Sequence, residues 1–303
     1  MRIILAGKTG QVGRYLAQVL GELGETTAAG RETMDLANID SVRAVIRDVR
    51  PDVIVNAAGL TNVDSAEAES DRVHVVNAVA PGVMAEEARR LGALLVHFSS
   101  VYVFDGASER PYTEADAPNP INVYGHSKLA GEQAVAAAGA AALILRASWV
   151  YDVRGRNFLV TMLRLAAERD ELRVVDDQTG NPTWARSLAE ATAAMLRDLP
   201  RAREACGTYN LAAPGVVTRY EFVQRMLEIA RKSDLEHPGP HLKRTKSAEY
   251  PLPARRPLNS ALDTSRLRAT FGMELPDWQT QLSACLAALG TKTPDRRTRT
   301  RKF

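Results

Sequence analysis

Arg2-Ile3-Ile4-Leu5-Ala6-Gly7-Lys8-Thr9-Gly10-Gln11-Val12-Gly13 is the stretch that decides the fold. Its first five residues form a short apolar run of strand length, and three glycines follow at once with the spacing G-x-x-G-x-x-G. After them Tyr15, Leu16, Val19 and Leu20 recur at helical spacing. Strand, glycine turn and helix in that order are the context a dinucleotide fingerprint requires. The glycines let the chain turn tightly, let the backbone approach a pyrophosphate, and let helix pack on strand. The helix start offers free N–H groups and a partial positive charge to phosphate. A P-loop is disfavoured, because no G-K-[ST] closes the run at its helix end.

Outward from this stretch, strands and helices alternate. Glu25–Ala29 reads as a second strand ending at Gly30-Arg31, Ser41–Val49 as a helix, and Asp52–Gly59 as a buried strand ending in small residues. Val75–Leu91 reads as a helix, Ala93 onward as a strand, and Ala142–Arg146 as another. Such alternation predicts an α/β fold: a Rossmann-type, doubly wound, mostly parallel sheet. Residues 1–150 form the expected nucleotide-binding part. After Val150 the alternation loosens, and prolines and cations cluster between Pro238 and Arg256. Residues 151–290 are therefore expected to form a smaller substrate-binding lobe, with 187–212 returning to the nucleotide sheet.

Two further runs carry chemistry. In His97-Phe98-Ser99-Ser100 the serines fall near the carboxyl end of a strand, where ligands of open α/β sheets bind. Ser100 is placed to donate a hydrogen bond to a carbonyl oxygen. In Val123-Tyr124-Gly125-His126-Ser127-Lys128 the Tyr and Lys lie four apart on one helix face. A nearby ammonium favours the phenolate, so Lys128 is expected to lower the Tyr124 pKa from its usual value of about 10. Ser100, Tyr124 and Lys128 together read as a short-chain dehydrogenase triad.

Composition fits an ordinary globular protein. The chain has 303 residues, 45% hydrophobic and 25% charged. It shows no apolar run of membrane-spanning length and no signal-peptide pattern before the first strand. Its two cysteines, Cys206 and Cys285, suggest no disulfide framework, which fits a cytoplasmic setting. No cluster of carboxylates or His has metal-ligand spacing. The tail 291–303 holds six cations and one carboxylate, a net +5, so the rest carries −2 of the overall +3. That tail reads as a disordered end with solvated charge, and the body lacks the basic and aromatic patterning of a nucleic-acid binder.

The runs G-K-T-G-Q-V-G, R-P-D-V-I-V-N-A-A, V-D-S-A-E, N-V-Y-G-H-S-K-L-A-G-E, R-A-S-W-V-Y, D-D-Q-T-G-N-P-T and R-P-L-N-S lie in order along residues 1 to about 290. They resemble the dTDP-4-dehydrorhamnose reductase family of extended short-chain dehydrogenases. The resemblance implies reduction of the C4 keto group of dTDP-4-dehydro-6-deoxy-L-mannose by NADPH, with NADH as the other candidate donor. The glycine turn itself offers Gly7, Gly10 and Gly13 to the cofactor, and the resemblance implies contacts at Gly10, Gln11, Val12, Asp35, Leu36, Gly59, Leu60, Thr61, Tyr124 and Lys128. It places the catalytic Ser/Thr at Ser100, with Val101 next to it on the substrate side, and a substrate-contacting Trp at Trp149; Arg256, in the cationic loop, is the expected partner of the substrate's diphosphate. Arg31 ends the second strand where an acidic residue would bind the ribose 2′-hydroxyl of NAD; a cation there favours the 2′-phosphate of NADPH.

Two positions depart from the family pattern. Val101 stands where an Asp usually follows the catalytic Ser/Thr, and Leu60 where a His or Tyr usually precedes Thr61. Val101 keeps open a sister nucleotide-sugar 4-ketoreductase giving 6-deoxy-L-talose or another deoxysugar. The non-enzyme alternative is a regulatory subunit like the β subunit of methionine adenosyltransferase, which looks like this family. Partners are expected to be a dTDP-4-keto-6-deoxy sugar, with neither nucleic acid nor membrane; a homodimer on a helical face is one option.

Overall fold

The computed structural model describes residues 1–232 and 239–290; the basic tail lies outside the described residues. The first half alternates as follows: β1 (Arg2–Ala6), α1 (Gln11–Val19), β2 (Glu25–Ala29), α2 (Ile39–Val49), β3 (Val53–Asn56), α3 (Val63–Ala66), α4 (Ser70–His74), α5 (Ala80–Leu91), β4 (Leu94–Ser100), α6 (Val123–Ala137) and β5 (Ala142–Ala147). The second half runs through β6 (Val150–Tyr151), α7 (Phe158–Glu168), β7 (Glu171–Val175), β8 (Thr179–Gly180), β9 (Thr183–Trp184), α8 (Ala185–Arg197), α9 (Leu199–Glu204) and β10 (Gly207–Asn210). It ends with β11 (Val217–Thr218), α10 (Arg219–Lys232), β12 (His241–Thr245), β13 (Asn259–Ser260), α11 (Ser265–Phe271) and α12 (Trp278–Gly290).

Six parallel strands form the central sheet in the order β10-β5-β4-β3-β1-β2. Because side chains alternate along a strand, each one feeds two cores. Ile3, Leu5, Val53, Val55, Val96 and Leu145 face α1 and α8, meeting Leu16, Leu20, Leu188 and Leu196. Ile4, Ile54, Leu95 and Ile144 face the opposite layer, meeting Val42, Ile46, Met84, Ala88 and Val135 of α2, α5 and α6. Burial on both faces is why these strands read as continuous apolar runs rather than alternating ones. Chain order reverses at β1, which sits between β2 and β3, and a crevice opens there at the carboxyl ends.

Expected as one regular helix, Val75–Leu91 instead begins with a π-helical turn at Val75–Val79. Pro81 has no N–H to return to the Asn77 carbonyl four residues back, so the regular ladder cannot pass this point. Gly131 of α6 packs against that same carbonyl, where a Cβ would lie 2.2 Å from the oxygen.

The second half contributes α8, α9, β10 and α11 to the central sheet's layers, through Leu188, Ala202, Tyr209 and Leu267, and gathers α7, β7, α10 and α12 around a separate core. Tyr151, Leu159, Met162, Trp184, Phe222, Met226, Leu282 and Cys285 fill that core. A fourth cluster, built from Val101, Val103, Phe104, Tyr112, Tyr124 and Leu262, packs the end of β4 against α6 and the late loops.

Candidate active site

A cleft of about 1600 Å³ lies across the carboxyl ends of β1, β3 and β4, with loops of the second half as its far wall. The glycine turn forms one end. Gly7 has φ +89, and a Cβ there would lie 2.8 Å from the Ala58 backbone nitrogen. At Gly13 a Cβ would lie 1.9 Å from the Gly7 carbonyl oxygen, so only glycine lets α1 approach the turn. Gly10 caps α1 in extended conformation with no side-chain acceptor for the first helical amides. Gln11 Oε1 is buried and has no partner among the described residues. Bare amides, a positive helix end and close backbone approach fit a pyrophosphate. Gly7, Gly10, Gln11 and Val12 line the cleft, whereas Gly13 supports it from behind.

Beyond the turn, Arg31, Asp35 and Leu36 line the cleft after β2. Arg31 is exposed. Beside it Lys8 pairs with Glu32 at 2.7 Å, a pair that sequence reasoning passed over. After β3, Gly59, Leu60 and Thr61 line the same wall. Asn77 fixes them: its side chain accepts from the Leu60 N–H at 2.9 Å and donates to the Leu60 carbonyl at 3.0 Å. It also donates to Ser127 Oγ at 3.0 Å, tying the loop to α6.

Ser100, Tyr124 and Lys128 meet in the middle of the cleft. Ser100 Oγ accepts the Tyr102 N–H at 3.2 Å as the chain leaves β4. Asn122 caps α6 by accepting the Gly125 N–H at 2.7 Å, which aims the first turn, and so Tyr124, at the strand ends. The expected lowering of the Tyr124 pKa by Lys128 is not what the structure has. Burial pushes the phenol up to about 12, offset in part by a hydrogen bond with Ser100. The reason is geometric: the ammonium donates to the Phe98 carbonyl at 2.7 Å instead of facing the phenol. Burial also brings Lys128 down to about 8, against the opposing pull of Glu132.

Trp149 stands on the far wall with a left-handed backbone, φ 41. Gly180 backs its indole so closely that a Cβ would lie 2.6 Å from the ring. The guanidinium of Arg219 lies 3.7 Å from the Trp149 ring centre and 4.6 Å from that of Phe158. It also hydrogen-bonds Tyr102, and burial beside Arg256 draws its pKa down to about 10. No carboxylate pairs with Arg219 among the described residues, and its position in a cationic cleft is the main site feature sequence reasoning missed. An arginine opening an amphipathic helix gives no signal of its own. Arg256 lines the cleft too, but already pairs with Asp64 at 2.8 Å. Val101 lines it with only 1% of its surface exposed, because most of its side chain packs into the core under Tyr124.

The cleft can thus hold a dinucleotide along the strand ends, present a protonated phenol and a serine to one oxygen, and offer a cation to an anionic ligand. Among the described residues, no group of three or more His, Cys, Asp or Glu could hold a metal ion. Among them, too, no helix is long and apolar enough to cross a membrane.

Residues 1–291 match the family model described as RmlD substrate binding domain. A dTDP-4-dehydrorhamnose reductase of Burkholderia thailandensis is 42% identical over 295 residues, 95% of this chain and 99% of the relative. A solved dTDP-4-dehydrorhamnose reductase from Clostridium acetobutylicum superposes with a TM-score of 0.88 at 32% identity, covering 95% of this chain and 99% of that one. The enzyme of the same name from Bacillus anthracis, solved in complex with NADP, gives 0.86 at 32% identity with the same coverage. Near-complete coverage in both directions, by sequence and by fold, makes this chain a member of the dTDP-4-dehydrorhamnose reductase family, the one described by the RmlD substrate binding domain.

Proposed function

We propose that the chain reduces the C4 keto group of dTDP-4-dehydro-6-deoxy-L-mannose to give dTDP-L-rhamnose, with NADPH as the donor. The observation that carries this is the convergence of Ser100, Tyr124 and Lys128 with the glycine turn in one cleft, in a chain whose relatives bear that activity as their name. Gly7, Gly10, Gln11 and Val12 hold the cofactor's pyrophosphate, Arg31 its 2′-phosphate, and Leu36 and Gly59–Thr61 its adenosine and ribose ends. The chemistry that bound NADPH supplies is a hydride, delivered to the C4 carbon.

The protein's part is proton and charge. Tyr124, kept protonated through the neutral range by burial, gives its proton to the C4 oxygen as negative charge develops there. Ser100 donates a hydrogen bond to the same oxygen, which stabilises the developing alkoxide. Lys128, charged below its pKa of about 8, adds positive charge to the cleft from its seat on the Phe98 carbonyl. Arg219 binds the diphosphate, since a guanidinium pairs with phosphate in bidentate fashion. Trp149 stacks on the guanidinium and shapes the sugar's side of the cleft. Val101 offers no hydrogen bond to a sugar hydroxyl, so orientation falls to Ser100, Tyr124 and the Arg219 side. On this reading residues 1–150 with 187–212 form the nucleotide lobe, and 151–290 the lobe that brings the sugar.

The test is loss of NADPH absorbance when the keto sugar is supplied by the enzymes that precede this step, followed by sugar analysis of the product. Rhamnose sustains the proposal. 6-Deoxy-talose would move the chain to the sister ketoreductase, and no oxidation of NADPH would end the reductase reading.

A further inference from the structure

Behind the triad lies a buried ionic cluster that the mechanism above does not use. Glu132 sits one helical turn after Lys128 on α6, with 6% of its surface exposed. Arg146 of β5 grips it with two hydrogen bonds, Nε to Oε1 at 3.0 Å and Nη2 to Oε2 at 2.6 Å. Ser99, next to Ser100 on β4, donates to the same Oε1 at 2.5 Å. The Arg146 guanidinium in turn lies 5.0 Å from the centre of the Phe104 ring. One carboxylate therefore joins the helix bearing Tyr124 and Lys128, the strand end bearing Ser100, and the neighbouring strand.

A buried ion pair is a poor device for stability alone, because desolvating both charges consumes most of what their attraction returns. Its place here has another reading. Three titratable or charged neighbours bear on Lys128 and Tyr124. His97 of β4 is buried, and its charged form is disfavoured by burial and by the Lys128 ammonium. Tyr102, in the turn after β4, faces Tyr124 edge-on at 5.8 Å. Glu132 is the only carboxylate that bears on Lys128 among the described residues. Four residues apart on α6, the two side chains leave the same helix face. The carboxylate turns to Arg146 and the ammonium to the Phe98 carbonyl, so the two charges act on each other through space rather than as an ion pair.

We propose that Glu132 is a positioning residue for the reduction: clamped by Arg146 and Ser99, its carboxylate is the counter-charge that keeps the buried Lys128 ammonium charged and seated on the Phe98 carbonyl. This rests on the reductase reading above. Arg146 directs the carboxylate, and Ser99 registers the Ser100 strand end to it.

Glu132→Gln alone would leave Arg146 buried without a counter-ion and risks misfolding, so the decisive variant is Glu132→Gln/Arg146→Met, which removes both buried charges at similar volume. Two measurements are made on it. The first is the pH profile of turnover with NADPH and the keto sugar. The second is direct titration of the Lys128 side chain in the cofactor-free protein by NMR of 13C-labelled lysine, assigned by its absence in Lys128→Met. The expected result is a protein folded like the wild type, whose Lys128 titration and basic limb of turnover both move down by about one pH unit, with the KM for NADPH little changed. Glu132→Asp should return the titration toward the wild-type position. A folded double variant with both curves unmoved overturns the proposal and leaves the cluster a packing device. Equal loss of turnover at every pH, with Lys128 titrating as before, also overturns it. Should the wild type fail to oxidise NADPH with this sugar, the reductase reading fails while the NMR titration still judges Glu132.

Discussion

Raising the pH through the Lys128 transition should stabilise the fold while it disables the site. Lys128 has its folded pKa depressed from 10.5 to about 8 by burial. A depressed group contributes stability that is fully present above its unfolded pKa and is lost as pH falls through its folded one. Between about pH 8 and 10.5 the unfolded chain binds the extra proton, so stability from this site rises with pH there. Each pH unit in the window is worth about 1.4 kcal/mol. From about pH 8 to 9.5 the gain is therefore on the order of 2 kcal/mol. Lys128→Met removes the titration and serves as the reference. Urea unfolding of both proteins at about pH 7 and pH 9.5 should show the wild type gaining about 2 kcal/mol on the variant between the two conditions. Over the same interval the wild-type turnover number should fall, because the positive charge that Lys128 adds to the cleft is lost. Tyr124 does not interfere in this range, since its own transition is pushed up to about 12. A stability difference that stays constant with pH would show that Lys128 is not buried as a charge, and the electrostatic account of the site would go with it.

Tyr124→Phe should lower turnover by about 10²- to 10⁴-fold, the usual worth of a general acid, with NADPH affinity by fluorescence titration retained; near-normal turnover would remove the phenol from the chemistry. Arg219→Met keeps an apolar partner of similar length for Trp149 but deletes the cation, and a charge-assisted hydrogen bond is worth about 1.5–3 kcal/mol. The KM for the nucleotide sugar should rise about 10- to 150-fold with the KM for NADPH unaltered, and an unchanged sugar KM would unseat Arg219 as the diphosphate group. Gly13→Ala drives a methyl to 1.9 Å from the Gly7 carbonyl oxygen, backbone against backbone, which should cost about 1–3 kcal/mol or more in thermal unfolding. It should also weaken NADPH binding, and a variant native in both respects would show that the turn has room to spare.

Much of residues 1–150 was legible because its signals are local. Buried parallel strands leave apolar runs such as Arg2–Ala6 and Val53–Asn56, and glycine spacing reports a backbone constraint directly. Tyr124 and Lys128 were legible because four residues on a helix fix a shared face. What they do to each other was not, since that depends on whether the ammonium meets the phenol or a carbonyl of another strand. Here Phe98 takes it. Arg219 was illegible for a related reason: its partners Trp149, Phe158 and Tyr102 lie between 61 and 117 positions away in the chain. The π turn at Val75–Val79 carried a sign in Pro81, which regular apolar spacing masked.

Asp152 shows how the two halves are made to act on one ligand set. It is fully buried, and it accepts from Arg14, from the Tyr15 hydroxyl at 2.8 Å and from Trp184 Nε1 at 3.1 Å. Arg14 and Tyr15 belong to α1, whose first turn borders the pyrophosphate end of the cleft, while Asp152 follows the strand that leaves Trp149. A charge with no exposure persists only where several donors converge on it, so this contact fixes the distance between the glycine helix and the Trp149 wall. Hydride transfer needs donor and acceptor carbons held in close approach, and on the function proposed above the two would be gripped by opposite halves of the chain. On that reading Asp152→Asn, which touches neither reactant, should lower turnover by loosening the α1–Trp184 contact, and an unchanged turnover number would confine Asp152 to holding the fold.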